Sequence, residues 1–545
     1  MSGESCNFKF VGRDGEKEKF INFVDSFDEH NNKTELLHFF GLGGIGKTSL
    51  RKEFIKHLDQ QEERLYSLLD FRYEEHRNQK EALSHLGVLL QNQCPGLEFN
   101  SFIYAYEILS NKLHSHRGLN RENVPVGEGA DYILNNFIKD ISEINWLNSV
   151  PKGITLIQKY TKITKEWKGR KGNKIQKELE HLDVSEIENR LYKYWAEDLG
   201  NYLDTKEHRT LVVFLDTFEA LKEFSKNRPL YVMEEEWIKK LVSALPQIRW
   251  VTFGREELKW DNCSENNEGI NIFNFPLKNI LFEDAIELLE HNKILDGEVH
   301  KVIYETTKGL PLYLYLAIRT YKNISEHRLP TPDDFKGDKN KVVDRFLLYL
   351  TDNQRDTLQI LSIPKIWTKK LFNILVHNFN NRIGKTEAKQ LLDYSFITYN
   401  HDFNIYEMHD QMRTILQERL KTEEPDILID IYKVLYKYYQ MNLKEGYPKK
   451  ITKKELLFMK ESFEYGLKFE SQLTMAKWLG QIIDNVYYTN SFISEEIEAF
   501  FFEVCEQLDI NIREEYLLRI KMISSLTFIF TKQRDLFKEI GRAHV

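Results

Sequence analysis

The apolar positions of the chain form short continuous runs at first and a helical repeat later. Runs at 36–40, 65–71, 211–215 and 248–253 predict strands, because strands covered on both faces of a parallel sheet lack polar alternation. After the first run, apolar residues recur every four positions from Leu50 to Leu58 and predict a helix. A strand, a loop and a helix in that order favour an α/β fold with a parallel sheet.

The first predicted domain, residues 1–268, contains a mostly helical insertion at about 76–205 between the second and third predicted strands. From 277 to 318 the periodicity is again helical, and the prolines of 330–332 mark the next boundary. This pattern predicts a helical lid domain over 269–338.

The last two predicted domains differ in their elements. Short helices followed by two β-type runs, 396–399 and 403–406, predict a winged-helix domain over 339–424. Amphipathic helices dominate 425–545 and predict an all-α, TPR-like helical-repeat region, although the sequence has no clean fixed period. These helices are predicted at 427–439, 456–469 and 475–487.

The composition is that of a globular protein, and its net charge is negative. Its 545 residues are 41% hydrophobic and 29% charged, which excludes a disordered or collagenous chain. With 76 basic and 84 acidic residues the net charge is -8, so any binding to nucleic acid would be local. The start of the chain lacks a basic, apolar leader and no long apolar run occurs, which predicts a cytoplasmic protein without a membrane partner. The four cysteines lie far apart and are interpreted as reduced thiols: Cys6, Cys94, Cys263 and Cys505.

One segment inside the insertion is locally basic. Lys152 to Lys177 contains nine basic residues against Glu166 alone, with Tyr160 and Trp167 between them. A solvated helix face explains such a run, and so does a patch that binds anions or nucleic acid. The sequence leaves both interpretations open.

The loop between the first predicted strand and helix has the pattern G-x-x-x-x-G-K-[ST], which binds phosphate. Its backbone N–H groups and the positive end of the helix can surround phosphate oxygens. Lys47 is predicted to contact the β and γ phosphates of ATP or ADP, and Thr48 to bind Mg2+. The predicted nucleotide-binding residues of this loop are Gly41, Gly43, Gly44, Ile45, Gly46, Lys47, Thr48 and Ser49.

A carboxylate follows the third predicted strand. Asp216 ends the apolar run and is predicted to hold Mg2+ with Thr48, because a buried carboxylate at a strand end needs a compensating cation. The alternative is an aspartate that caps the next helix. Glu219 is the candidate that polarises the attacking water, and Thr217 stands where a second acid is usual in rapid hydrolases. The sequence therefore predicts slow ATP hydrolysis.

Six short motifs occur in one order along the chain. They are Val11-Gly12-Arg13 with its flanks, the glycine loop, Phe214–Leu221, Gly254-Arg255-Glu256, Lys308–Leu312 and Tyr406–Asp410. In this order they resemble the signal-transducing ATPases of the STAND class, AAA+-related P-loop enzymes, in their NB-ARC-like bacterial form. The resemblance covers residues 8 to 420. Its specificity comes from the order, since Gly-Leu-Pro-Leu or Met-His-Asp alone is a weak signal.

The resemblance implies roles for residues outside the loop. The segment Val11–Arg13 would line the adenine side of the nucleotide, and Pro311 would pack on the base from the lid. His409 would contact the ADP β-phosphate, and Arg255 would sense the γ-phosphate and complete the predicted catalytic set of Lys47, Asp216 and Glu219. The alternatives are a core histidine at His409 and a surface salt bridge at Arg255.

The same resemblance implies a switch. ADP would lock a closed monomer, and ATP would open it and lead to a homo-oligomer. The C-terminal helices would sense an unknown protein or ligand as the trigger. A scaffold with an inactive nucleotide site is disfavoured, because Lys47, Thr48 and Asp216 are all present.

A second class remains open. Nucleic-acid-dependent AAA+-type ATPases of the origin-recognition or transposition kind also combine Val-Gly-Arg, a phosphate loop and a winged helix. The segment Lys152–Lys177 would be their nucleic-acid contact. The motifs Gly309–Leu312 and Met408–Asp410 favour the switch, whereas salt-dependent DNA binding would favour the alternative.

The sequence at each end of the chain supports a prediction about the natural protein. The motifs begin within ten residues of Met1, which predicts that no effector domain precedes them. The last residues, Ile540–Val545, correspond to one reading frame of a common sequencing adapter, so the natural protein is expected to be longer. The alternative is an ordinary helix tail.

Overall fold

The structure is a computed structural model in which the described residues leave several gaps. Described are residues 10–26, 33–61, 64–115, 171–205, 210–221, 234–260, 270–379, 383–400, 404–443, 453–489, 500–501, 504–505 and 507–508. Outside them lie residues 152–170 of the predicted basic segment, two cysteines and the last residues of the chain. Cys94 and Cys505 are buried, and neither forms a disulfide with another described residue. No helix in the described ranges has the length and apolar content to cross a membrane.

Five parallel strands form the central sheet. Their bounds are Glu35–Phe40 (β1), Leu65–Asp70 (β2), Leu211–Asp216 (β3), Ile248–Gly254 (β4) and Asn271–Pro276 (β5). The order is β2-β3-β4-β1-β5, so the carboxyl ends of all five strands meet at one edge. With the glycine loop between β1 and the next helix, this sheet forms the predicted P-loop NTPase fold.

Helices cover both faces of the sheet. The helix after the glycine loop buries Leu50, Phe54 and Leu58, each at most 1% exposed, as the four-residue spacing predicted. In the insertion, Phe99 stacks on Trp195, and a Cβ at Gly87 would lie 3.4 Å from both rings. The helices are Asp14–Asp25 (α1), Lys47–Asp59 (α2), Glu74–Arg77 (α3), Gln79–Gln93 (α4), Asn100–Ser115 (α5), Asn173–Leu179 (α6), Val184–Glu188 (α7), Leu191–Leu203 (α8) and Glu234–Ser243 (α9).

Helices and a small antiparallel sheet follow β5. The helices are Phe282–His291 (α10), Gly297–Thr307 (α11), Pro311–Ser325 (α12), Lys339–Leu348 (α13), Asp352–Leu361 (α14), Lys369–Asn378 (α15) and Lys385–Leu392 (α16). The strands are Ile366–Trp367 (β6), Ile397–Asn400 (β7) and Ile405–Met408 (β8), in the order β6-β8-β7. A 3-10 turn, Pro332–Phe335, occupies the predicted proline boundary. These elements match those expected for the lid and the winged helix, whose domain bounds stay predictions.

The rest of the described chain is helical. Tyr439 stacks on Tyr465 with ring centroids 6.0 Å apart and joins the second and third of these helices. The first of them begins directly after β8, which places its N-terminus near the small sheet. The bounds are Asp410–Glu423 (α17), Pro425–Asn442 (α18), Lys453–Gly466 (α19) and Gln472–Thr489 (α20).

The structure contains features that the apolar pattern did not predict. Strand β5 was missed because the exposed Asn271 and the half-buried Asn274 interrupt its apolar residues. Strand β6 was missed because it has two residues. Within the helical insertion, α7 and α8 are separate helices with a break at Asn189 and Arg190. The second hairpin strand begins at Ile405, two residues later than predicted.

Candidate functional site

The glycine loop lies at the carboxyl edge of the sheet between β1 and α2. Gly44 and Gly46 have φ of 74° and 95°, a conformation that an L side chain rarely adopts. A Cβ at Gly44 would lie 2.5 Å from Gln411 Oε1. The N–H of Gly41 donates to the Gly254 carbonyl at 3.2 Å and ties the loop to the end of β4. This backbone fits a phosphate cradle, because only glycine allows both the turn and the close approach.

Lys47 begins α2 and turns back over the loop. Its Nζ donates to the Gly41 carbonyl at 2.6 Å and to the Leu42 carbonyl at 3.1 Å. Burial lowers the pKa of Lys47, while Glu219 and Asp216 oppose this shift. The ammonium is therefore held at the mouth of the loop, where a bound phosphate would replace the carbonyls as its partner.

The N-terminal motif contacts the same loop. Arg13 Nη2 donates to the Ile45 carbonyl at 3.0 Å, and Val11 is buried. Gly12 and Arg13 have φ of 66° and 64°, and a Cβ at Gly12 would lie 2.5 Å from Asp284 Oδ2 on α10. The motif is thus fitted between the loop and the predicted lid.

The predicted lid reaches the loop through the start of α12. A Cβ at Gly46 would lie 3.7 Å from Pro311 Cγ, and one at Gly44 would lie 3.5 Å from Leu312 Cβ. Pro311 opens the helix, a position that needs no N–H donor. The structure therefore brings Pro311 beside the loop, and its packing on the base stays a prediction.

Thr48 and Ser49 occupy the first turn of α2, with Thr48 half-buried and Ser49 exposed. Asp216 ends β3, is 2% exposed and accepts a hydrogen bond from the Thr217 N–H at 2.8 Å. Its Oδ2 lies 3.1 Å from Nε of the buried Arg51 on α2. Burial raises the pKa of Asp216, and Arg51 opposes this effect. Arg51 was not predicted as a site residue, because a basic residue within an amphipathic helix has no distinctive pattern.

A second carboxylate lies beside Asp216. Asp70 ends β2 in register with Asp216 and is 4% exposed. Arg72 Nε donates to both oxygens of Asp70, at 3.0 and 3.1 Å, and Arg72 Nη1 donates to Glu407 Oε2 of β8 at 2.9 Å. Although burial opposes it, Arg72 holds the pKa of Asp70 well below its usual value. An apolar run ending in aspartate, as in β3, was the available signal for Asp70.

Arg255 forms ion pairs with both Glu219 and Asp410, the first residue of α17. Arg255 Nε lies 3.0 Å from Glu219 Oε1, and its Nη2 donates to Asp410 Oδ2 at 3.0 Å. Burial raises the pKa of Glu219, with Lys47 and Arg255 among the opposing charges. The expected alternative of a salt bridge at Arg255 is thus present, and the bridge connects the end of β4 to the segment after β8.

The residues after β8 approach the loop. Gln411 Nε2 donates to the Gly43 carbonyl at 2.9 Å, and Gln411 Oε1 is buried without a hydrogen-bond partner among the described residues. His409 caps α17, since its Nδ1 accepts from the Gln411 N–H at 3.3 Å. Burial lowers the pKa of His409, and Lys47, Arg72 and Arg255 contribute to that shift although Asp410 opposes it. Gln411 therefore contacts the loop directly, and the contact of His409 with the ADP β-phosphate stays a prediction.

Two imidazoles lie behind the sheet edge. The rings of His76 and His85 are 4.4 Å apart, and His76 Nδ1 accepts from the Asp70 N–H at 3.0 Å. Burial lowers the pKa of His76 to about 4, against the opposing effect of Asp70. Burial and the neighbouring His76 lower the pKa of His85 well below its usual value. Both rings are therefore neutral in the folded protein at neutral pH.

We expect the thermal midpoint of unfolding to fall as the pH is lowered from about 7.5 to about 5.5. A buried histidine with a lowered pKa accepts its proton only in the unfolded chain, so its stabilising effect is complete above about pH 6.5 and is lost below it. At about pH 5.5, His85 alone should lower the free energy of unfolding by on the order of 1 kcal/mol, because its ring is protonated in the unfolded chain only. In scanning calorimetry, the thermal midpoint of His85→Gln should fall less over this pH range than that of wild type. The midpoint of His181→Gln, which changes an exposed histidine, should fall as much as that of wild type. Equal losses in wild type and His85→Gln would contradict this assignment.

Comparisons with known proteins give low similarity. No family model matches, and no curated protein matches. Among solved structures, a Signal Transduction ATPase with Numerous Domains from Pyrococcus horikoshii, with a tetratricopeptide repeat sensor, is 14% identical with a TM-score of 0.47. This match covers 96% of the chain and 58% of that protein. The ORC1 protein of Aeropyrum pernix, in complex with DNA, is 10% identical with a TM-score of 0.29, and the match covers 77% and 94% of the two chains.

Proposed function

We propose that the protein is an ATP- and ADP-binding switch with slow ATPase activity, in which ADP holds a closed form and ATP exchange opens it. The proposal includes a homo-oligomer formed with ATP and a trigger, protein or ligand, that is sensed by the C-terminal helices. A ligand can shift such an equilibrium only through contacts that differ between the two forms.

The contacts of the segment after β7 with the nucleotide site support this proposal. Gln411 binds the loop carbonyl of Gly43, Asp410 binds Arg255, and Glu407 binds Arg72. All three partners lie at the edge of the sheet where a nucleotide phosphate would bind. A nucleotide in the loop would therefore be sensed directly by β8 and α17.

The roles of the individual residues follow from their positions. The loop amides, Lys47 and the Val11–Arg13 segment would hold the nucleotide, with Pro311 closing the site from the lid. Thr48 and Asp216 offer the oxygen ligands that Mg2+ prefers, and Mg2+ with ATP would supply the activated γ-phosphoryl group. Glu219 would orient the attacking water, and Arg255 would neutralise phosphate charge.

We expect purified wild-type protein to retain ADP, identified by chromatography after denaturation. Gln411→Ala should release ADP about tenfold faster, because it loses one buried hydrogen bond to the loop. His409→Ala should also release ADP faster, because the helix loses its cap and the loop contact loses its support. Gln417→Ala is the matched control, since this glutamine of α17 donates to the Ser362 carbonyl instead.

Two results would decide against the switch. Release rates of Gln411→Ala and His409→Ala equal to that of Gln417→Ala would remove the proposed lock. Protein without retained nucleotide, whose ATPase activity rises on addition of DNA, would favour the nucleic-acid-dependent ATPase. The dependence of the DNA affinity on salt concentration would then measure the electrostatic contribution to binding.

A further inference from the structure

The carboxylate predicted to bind Mg2+ already faces a cation of the chain itself. Arg51 and Asp216 are 6% and 2% exposed, and Arg51 Nε lies 3.1 Å from Asp216 Oδ2. The geometry is that of a charge contact, because Arg51 Nε, Arg51 Nη1 and Asp216 Oδ2 make no hydrogen bond with the described residues. The guanidinium thus neutralises Asp216 while two of its nitrogens remain buried donors without acceptors.

The helix brings Arg51 to this position by its spacing. Arg51 follows Thr48 by three residues on α2, and residues three apart lie on the same helical face. Thr48 and Asp216 are the expected oxygen ligands of the cation. Arg51 therefore approaches Asp216 from the face of α2 that also carries Thr48.

Each of the two carboxylates at the strand ends faces a guanidinium group of the chain. Asp70 lies beside Asp216 in the sheet, and Arg72 is bonded to Asp70. Asp216 thus faces Arg51 and Asp70 faces Arg72, which also donates to Glu407. Mg2+ is usually held by one or two carboxylates together with phosphate oxygens, and a paired carboxylate offers it less negative charge.

We propose that Arg51 takes the place of the divalent cation at Asp216, so that the closed protein binds a nucleoside diphosphate without Mg2+. This inference rests on the proposed nucleotide-binding function. Mg2+ could bind Asp216 only after displacing the guanidinium, and its contribution to ADP affinity is correspondingly small. Arg51 acts here as a positioning residue that sets the charge of the metal site.

The test is the binding of fluorescent mant-ADP in excess Mg2+ and in excess EDTA. The dissociation constants of wild type should agree within about threefold, whereas Arg51→Met should bind at least about tenfold more weakly in EDTA than in Mg2+. Arg51→Lys should behave as wild type, because it retains a cation beside Asp216. The double variant Arg51→Met/Asp216→Asn should also be insensitive to Mg2+, since it lacks both charges. The exposed Lys56→Met on the same helix is the control.

Thermal unfolding provides an independent measurement. Mg2+ should raise the unfolding midpoint of ADP-bound Arg51→Met and leave that of wild type unchanged, an effect that loss of packing alone would not produce. If Arg51→Met folds poorly in EDTA, its circular dichroism spectrum should recover when Mg2+ is added. This recovery would show that Mg2+ replaces the missing guanidinium beside Asp216.

The outcomes separate this inference from the switch itself. Wild type that binds mant-ADP only with Mg2+, or an Arg51→Met variant as insensitive to Mg2+ as wild type, would overturn the role of Arg51 alone. Wild type that binds no mant-ADP in either buffer would overturn the nucleotide switch, and the inference with it.

Discussion

Lys47→Ala should weaken ADP binding by about a hundredfold, because it removes a charged donor from the mouth of the phosphate loop. Lys47 Nζ lies 2.6 Å from the Gly41 carbonyl and 3.1 Å from the Leu42 carbonyl, so it is already placed over the cradle. A phosphate anion would be a stronger partner than these neutral carbonyls. The lost contact is therefore a charge-assisted one, in a partly buried position.

Isothermal titration of ADP into wild type and Lys47→Ala measures this effect. Lys56→Ala is the matched control, because Lys56 lies on the same helix but is 67% exposed and pairs with Glu53 at 3.7 Å. It should bind ADP as wild type does. Equal affinity in wild type and Lys47→Ala would mean that the loop does not bind nucleotide phosphates in the proposed way.

Arg72→Met should lower the free energy of unfolding by about 3 kcal/mol, because it leaves a buried carboxylate unpaired. Asp70 would then lie next to Asp216 at the same level of the sheet, with one guanidinium for two charges. The link to Glu407 of β8 would also be lost. The destabilisation should thus affect both the sheet edge and the docking of the small sheet.

The pH dependence of the destabilisation tests whether the loss of the Arg72–Asp70 ion pair causes it. Arg72 lowers the pKa of Asp70, so the stabilisation that it supplies is present above the unfolded pKa near 3.8 and is lost as the pH falls through the folded value. The difference in the free energy of unfolding between wild type and Arg72→Met, measured by urea unfolding, should therefore narrow as the pH falls below about 4.

Two variants complete the test of Arg72. Asp70→Asn/Arg72→Met removes both charges and should recover much of the stability. Arg190→Met breaks a surface contact of 3.6 Å with Glu178 and should change stability by less than about 1 kcal/mol. A double variant no more stable than Arg72→Met would show that packing, and not the uncompensated carboxylate, causes the loss.

The sequence predicted the parts of the fold whose pattern is local. Runs such as 211–215 identified four of the five parallel strands, because burial on both faces requires continuous apolar residues. The spacing from Leu50 to Leu58 predicted the buried face of α2, and the glycine loop was placed between β1 and that helix. Strand β5 was not predicted, since an edge strand with polar positions has no such pattern.

The candidate site was predictable where a residue type at a given spacing has a chemical reason. Lys47, Thr48 and Asp216 follow from the phosphate loop and from a carboxylate at a strand end. Gln411 was not predictable, because a glutamine near a helix start has many roles. Its role depends on the Gly43 carbonyl, which is 368 residues away in the chain.

The sequence by itself therefore determined most of the elements, their order and the position of the glycine loop between a strand and a helix. Local patterns suffice for these, because period, glycine positions and strand-end carboxylates act within a few residues. Only the tertiary structure decided which charges meet. The pairing of Arg51 with Asp216 and the bridge from Asp70 through Arg72 to Glu407 depend on strand register and helix packing. Such contacts join residues that are far apart along the sequence, so no local pattern predicts them. Their burial in the folded protein makes them energetically important.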